Sequence, residues 1–415
     1  MVQRGEVLNG YELVTDPTNA GGGMSQWAFA TRDGGDYFVK LFLAPKFPLA
    51  DGPGSAAAKE RKRQACLAFE QRHVEIARRL DPSRPGAGNL VVATDFFRHD
   101  ATYVKVMPRV RATALPEATE LTGHQILVLL RSLAYSLRML HDQQVVHGDI
   151  KPDNVMVEPG GPGVFVSKLI DFDEAYVVGW PPDADHIVGD PIYYAPELLR
   201  YIKRDPRLPA DALGTAADMF SLGLLLHRFL TGRLPDFDRT TANYPAEALL
   251  GWGSLDIGAA PPLLRPQIAR MLSVVPGRRP TIQQFIDVLG SLTPDQVVVD
   301  PAAPPTRMLV GASDDAAPPP RPTPSPPPGL QAPRPTGAPA MPAGPMPAGP
   351  MPAGPMPAGP MPRGPLPAGP TIGGSAPVAA PSPPPPERST LRFSPRRRRG
   401  GRPDDPTSAP PEQDR

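Results

Sequence analysis

The sequence predicts an α+β body in two lobes, a small β-rich one followed by a larger helical one, with a proline-rich tail that does not fold. Three observations carry this. Glycine pairs punctuate short apolar runs between residues 11 and 43, long proline-free runs of helix formers dominate from residue 56 onward, and most of the 62 prolines fall after Val297. Each proline fixes φ and removes a backbone donor, so at that density neither sheet nor long helix can form. The expected division is a folded domain over residues 8–293 (first lobe and connection 8–110, second lobe 111–293) and a disordered tail over 294–415.

The elements follow in chain order. "YELV", "QWAFATR" and "YFVKLFL", separated by glycine clusters, read as paired strands. Ala56 to Leu80, with "ACLAFEQRHVEIARRL", reads as a helix. "NLVVATDFF" and "TYVKVM" read as two further strands. His124 to His141 is apolar nearly all round, which predicts a buried helix. A second buried helix over 216–232 ends at Gly232, a fitting left-handed cap, and "TIQQFIDVLGSL" (281–292) is the last. In the tail MPAGP occurs four times, and with its variants the repeat fills 341–370. A five-residue period matches no packed repeat, so extended chain is expected.

The net charge of +1 gives no general attraction to nucleic acid, and the one basic cluster, Arg396–Arg402, sits in the tail. Neither a nucleic-acid partner nor a membrane span is expected. The single cysteine, Cys66, excludes an internal disulfide and reads as a packing residue in a reducing compartment. No signal-peptide pattern opens the chain, and no apolar run is long enough to span a bilayer. The expected location is the cytoplasm.

Residues 145–157, "VVHGDIKPDNVMV", set an acid, an amine and an amide at fixed intervals after a histidine. Seventeen residues after Asn154 comes Asp171 in "LIDFDEA". Phosphoryl transfer needs such parts: a base for the hydroxyl proton, a cation for the phosphoryl charge and oxygen donors for Mg²⁺.

In this order the motifs resemble the protein-kinase superfamily, in particular the eukaryotic-like serine/threonine kinases of bacteria. "HGDIKPDN" resembles HRDxKxxN, "DFD" resembles DFG, and "GDPIYYAPE" (189–197) resembles GTxxYxAPE. "DMFSLG" (218–223) is similar to DxxSxG, and "GRRPT" (277–281) to the late RPT motif. The resemblance runs from about Tyr11 to Leu292 and implies a two-lobe kinase-like fold. The implied activity is transfer of the γ-phosphoryl group of ATP to protein serine or threonine, with Mg²⁺, or Mn²⁺ in its place. The alternative is a pseudokinase scaffold that binds nucleotide or partners without efficient transfer.

The resemblance also implies roles. Asp149 would be the base and Lys151 would touch the transferred group. Asn154 and Asp171 would hold metal, and Lys40 would contact the nucleotide phosphates. Lys40 should pair with a helix glutamate, Glu70 or Glu75, of which Glu70 is preferred because Val74 and Ala77 share its face. Gly21 and Gly23 supply the phosphate loop, with Gln26 and Ala28 where the family has glycine and valine. The adenine-binding connection is expected at Val106–Val110. Asp218 would brace the catalytic loop, Glu197 and Arg279 would form a structural ion pair, and His147 would be a packed core histidine.

Three departures bear on control. Gly148 stands where many kinases carry an arginine that receives an activation-loop phosphate. Between Asp171 and Glu197 there is no serine or threonine, only Tyr176, Tyr193 and Tyr194. The expectation is an enzyme independent of activation-loop Ser/Thr phosphorylation. Asp173 replaces the last DFG residue, which favours one fixed conformation. Asp190 puts a carboxylate where it would repel Asp149 unless Lys151 lies between them or one acid holds a proton. In the tail, Thr306 with Leu309 three positions later suggests a site for a phosphothreonine-reading partner, and "STLRF" (389–393) a poorer one.

Overall fold

Alternating apolar residues between Tyr11 and Phe42 give the first lobe its sheet. The computed structural model describes residues 2–20, 23–80, 87–208, 212–299, 306–311 and 390–392. In it β1 (Val7–Leu8), β2 (Tyr11–Leu13), β3 (Ser25–Arg32) and β4 (Gly35–Phe42) are antiparallel neighbours. Next to β4 comes β6 (Thr102–Pro108), then β5 (Asp95–His99), then a strand from the far tail, Thr390–Arg392. The strand expected from Asn89 begins only at Asp95. Upstream, Val91 N–H bonds to Leu169 O at 3.0 Å, so those residues pair with the second lobe instead.

Helix α1 (Ala56–Arg79) starts at Ser55, whose hydroxyl accepts Ala58 N–H at 3.3 Å. It sits on one sheet face through Cys66, Phe69, Phe42, Phe96 and Tyr103, with the His73 ring stacked on Phe96. Cys66 is fully buried, as a packing residue should be. Along its 24 residues only Cys66, His73 and Ile76 are buried, so α1 is held by a narrow stripe.

The second lobe is built on α2 (Gly123–Asp142), opened by a Thr122–Gln125 capping box. The hairpin β9 (Val155–Gly161) and β10 (Val164–Leu169), with β7 (Thr113–Ala114) beside it, was not foreshadowed by period-two alternation. Short strands β8 (Val145–Val146) and β11 (Tyr176–Val177) pair, enclosing the stretch that carries Asp149 and Asp171. Then follow α3 (Pro196–Ile202), α4 (Ala216–Thr231), α5 (Pro245–Leu250), β12 (Ser254–Asp256), α6 (Arg265–Met271) and α7 (Ile282–Ser291). Gly232 ends α4 at φ +75°, and Thr281 caps α7.

Packing passes the expected edge at residue 293. Val297 is fully buried, and Val310 is buried in β13 (Leu309–Gly311), which pairs with β12. Residues 306–311 therefore continue the folded body. Gly258 makes the approach possible, since a Cβ there would stand 1.5 Å from the Thr306 carbonyl oxygen. The MPAGP repeats at 341–370 and the Arg396–Arg402 cluster lie outside the described residues, as does Gly21.

Arg279 ties α3, α4 and the approach to α7 together. Its guanidinium donates to both Glu197 carboxylate oxygens at 2.6 and 2.7 Å, to Ala216 O at 2.7 Å and to Ser273 O at 2.9 Å, with its side chain fully buried. Removing one partner of such a pair strands a buried charge. Arg279→Ala should lower unfolding free energy by about 3–5 kcal/mol in urea titration; a loss below about 1 kcal/mol would show the pair to be dispensable.

Candidate active site

The loop that carries Asp149 hangs from one carboxylate. Asp218, buried in the first turn of α4, accepts His147 N–H at 2.8 Å and Gly148 N–H at 3.0 Å, and lies 3.0 Å from His141 Nε2. This fixes the backbone just before Asp149. His147 is fully buried, packed on Phe172 with ring centroids 5.0 Å apart.

Asp149 is oriented from three sides. Asn154 Nδ2 donates to its Oδ2 at 2.8 Å and to its backbone carbonyl at 2.7 Å. Lys151 Nζ lies 2.7 Å from Oδ2, and Asp190 N–H donates to Oδ1 at 3.1 Å. The Asp190 carboxylate turns back instead to accept Ile192 N–H at 2.9 Å. Its amide, rather than its acid, meets Asp149, so the expected repulsion is relieved by geometry.

Asn154 and Asp171 are brought together by the backbone bond from Ile170 N–H to Asn154 O at 3.0 Å. Both amide hydrogens of Asn154 are committed to Asp149, which leaves its amide oxygen for a cation. Asp171 has φ +62°, in the left-handed region that a non-glycine residue adopts at a cost and that recurs at functional sites. Two oxygen donors of this kind suit Mg²⁺.

Lys40 lies among carboxylates. Its Nζ is 2.9 and 3.0 Å from the two Asp171 oxygens and 2.5 Å from Asp173 Oδ2. The other Asp173 oxygen takes Lys105 Nζ at 2.8 Å. Burial opposes ionisation of Asp173, but the ammonium groups of Lys105 and Lys40 outweigh it and hold the carboxyl well below its usual range. Burial likewise opposes the charge on Lys40, and Asp173 and Asp171 raise its pKa above the ordinary lysine value.

Two expected placements are corrected. Glu70 does not reach Lys40; it accepts the Tyr103 hydroxyl at 2.7 Å, and the alternative, Glu75, pairs with Arg78 and Arg79. Beside Asp173, α1 instead places His73. Its Nδ1 bonds Phe69 O at 3.0 Å and its Nε2 lies 3.9 Å from Asp173. Burial pushes its pKa down to about 4, so it is neutral near pH 7. Val106 is fully buried within β6, between β4 and β5, and its carbonyl already accepts Thr94 N–H at 2.8 Å. Backbone free for a purine edge must come after it. Gly23 is at φ +92°, a conformation that suits glycine.

Gly148 answers to the activation segment. It has φ +79°, and a Cβ there would stand 2.6 Å from the Glu174 carbonyl oxygen. Tyr176, Tyr193 and Tyr194 are all buried, and β11 is zipped onto β8. The segment is ordered by backbone contact, with no arginine at the position that would read a phosphate.

Among described residues no helix is long and apolar enough to cross a membrane. The sequence profile of the Protein kinase domain family matches residues 57–288, more than half of the chain. Serine/threonine-protein kinase pkn2 of Myxococcus xanthus is 29% identical over 185 residues, 43% of this chain and 20% of that protein. Serine/threonine-protein kinase 17A of Oryctolagus cuniculus is 34% identical over 107 residues, 26% of this chain and 24% of that protein. The chain thus spans about a quarter or less of the length of these relatives. Among solved structures, a double mutant of the Mycobacterium tuberculosis PknI kinase domain is similar over 70% of this chain and 98% of that one, with 17% identity and a TM-score of 0.46.

Glu174 gives the segment a pH dependence. Burial raises its pKa from 4.5 to about 7, against the opposing charge of Arg72 and the Val188 N–H, with Asp173 and Asp149 adding to the rise. The folded chain therefore holds this proton where the unfolded chain has released it. The associated stability is full below about 4.5 and is lost as pH rises to about 7. Glu174→Gln should match wild type near pH 4.5 and exceed it at pH 8 by on the order of 2–3 kcal/mol in urea unfolding. An advantage that is the same at both pH values would contradict this.

Proposed function

The chain belongs to the protein kinase domain family, and on that premise we propose that it is a serine/threonine protein kinase transferring the γ-phosphoryl group of Mg-ATP to protein hydroxyls. The observation that carries the reading is the arrangement around Asp149. A carboxylate held by Asn154, Lys151 and the Asp190 amide presents its remaining lone pairs to a substrate hydroxyl and can take its proton. Lys151 would meet charge building on the transferred group, and Lys40 would hold the nucleotide phosphates. Asn154 and Asp171 would hold Mg²⁺, which when bound neutralises phosphate charge.

The scaffold alternative rests on Gln26, Asp173 and Asp190; the two acids have structural partners that leave Asp149 unopposed, and Gln26 is a strand residue of β3 opposite Leu41. Activity independent of activation-loop phosphorylation is supported by the same packing: Gly148 accepts the segment's backbone and all three tyrosines are buried. We take the cytoplasm as its location, on its lone buried cysteine. Protein substrates are the partners this chemistry needs. Thr306, exposed at the edge of the folded body with Leu309 exposed beyond it, is the tail site we assign to a phosphothreonine-reading partner.

The purified chain, incubated with Mg²⁺ and ATP labelled on its γ-phosphate, should incorporate label at serine or threonine outside residues 172–196. Asp149→Asn should lower incorporation at least a hundredfold, the scale of a lost general base, while nucleotide still binds. Equal labelling of both proteins would refute the role of Asp149. Absence of label from wild type, on itself and on generic protein substrates, would return the reading to a scaffold.

A further inference from the structure

Lys40 on β4 and Lys105 on β6 stand directly opposite each other in the sheet register. Like charges in that relation repel, and both side chains are largely withdrawn from water. The Asp173 carboxylate reconciles them, with one oxygen 2.5 Å from Lys40 and the other 2.8 Å from Lys105. It projects from the activation segment two residues after Asp171, so its position is tied to the course of that segment.

Helix α1 offers no substitute. It carries three acids, and each has another partner: Glu60 binds Arg63 and Gln64, Glu70 binds Tyr103, and Glu75 binds Arg78 and Arg79. Toward the cluster it presents Arg72 and His73, which face Glu174 and Asp173 on the activation segment. Acids therefore lie on the segment, while cationic or neutral side chains lie on the helix and strand.

We propose that Asp173, backed by Lys105, is the positioning residue for Lys40, so that the nucleotide-binding lysine is anchored from within the activation segment and not from α1. The inference rests on the kinase reading for the role of Lys40. It makes correct seating of the segment sufficient to aim the lysine, because a shift of α1 carries away no counter-charge. Asp171 can then turn to a cation without releasing Lys40.

The test is a double-mutant cycle on the full chain, read as affinity for the Mg²⁺ complex of adenylyl imidodiphosphate by calorimetry, a readout that needs no turnover. Asp173→Asn and Lys40→Met should each weaken binding about tenfold, and the double variant should be no more than about twofold weaker than either. Lys105→Met, which leaves Asp173 in place but unbacked, enters the same cycle and keeps it decisive if Asp173→Asn fails to fold. A glutamate supplied from the helix should substitute: His73→Glu in an Asp173→Gly chain should recover most of the lost affinity. Losses that multiply on the Lys40→Met background, or no loss at all, would overturn the anchor while leaving the kinase reading intact. A wild-type chain that binds no nucleotide would remove both.

Discussion

Two lysines largely withdrawn from water face each other across adjacent strands, and a carboxylate from the second lobe's activation segment lies between them. Leaving either charge unpaired at that depth would cost several kcal/mol. The course of the segment around residue 173 is therefore set by the sheet. Immediately downstream, the Glu174 carbonyl approaches the catalytic loop so closely that only glycine fits at position 148. Asp218 fixes the other side of that loop from α4. Asp149, Asn154, Asp171 and Lys40 thus belong to one connected polar system.

The parts of this system that the sequence reveals are those whose geometry is local. Asp149, Lys151 and Asn154 lie within six residues, and a tight loop with a short helical turn brings them together wherever it occurs. The end of α4 was legible for the same reason, since Gly232 acts on its own neighbours. Glu70 misled because its offsets to Val74 and Ala77 describe a stripe adjacent to the one that packs. The packed stripe runs through Cys66, the half-buried Phe69, His73 and Ile76, and Glu70 falls one residue off it, where the Tyr103 hydroxyl takes it. Lys105 carried a usable signal that went unread: in "YVKVM" it is flanked by apolar residues, as Lys40 is in "FVKLF". That both face one carboxylate depends on strand register, which no local pattern discloses.

The tail was misjudged at its start for a different reason. Proline density marks where structure cannot propagate, but a three-residue strand needs little more than an open edge and one apolar side chain. β12 supplies the edge, Val310 the side chain, and Gly258 the clearance. Asp256 adds specificity by accepting Met308 N–H at 3.1 Å, with Arg307 3.7 Å away. A composition average over a hundred residues is blind to so short a contact.

The substitutions that looked separate in sequence form one arrangement. A segment with no serine or threonine, and with its three tyrosines buried, exposes no hydroxyl side chain for phosphate to order it by, so it needs permanent partners. Asp173 finds them in Lys40 and Lys105, and Tyr176 in the β8 pairing. An arginine at position 148 would collide with that ordered segment before it could bind anything, so the loss of the arginine and the self-ordering of the segment imply each other. The neutral His73 on α1 follows as well, because a glutamate at position 73 would compete with Asp173 for the same two lysines and crowd a third acid into the site. Once the anchor moves to the segment, a neutral side chain on the helix is the arrangement that leaves the charges balanced.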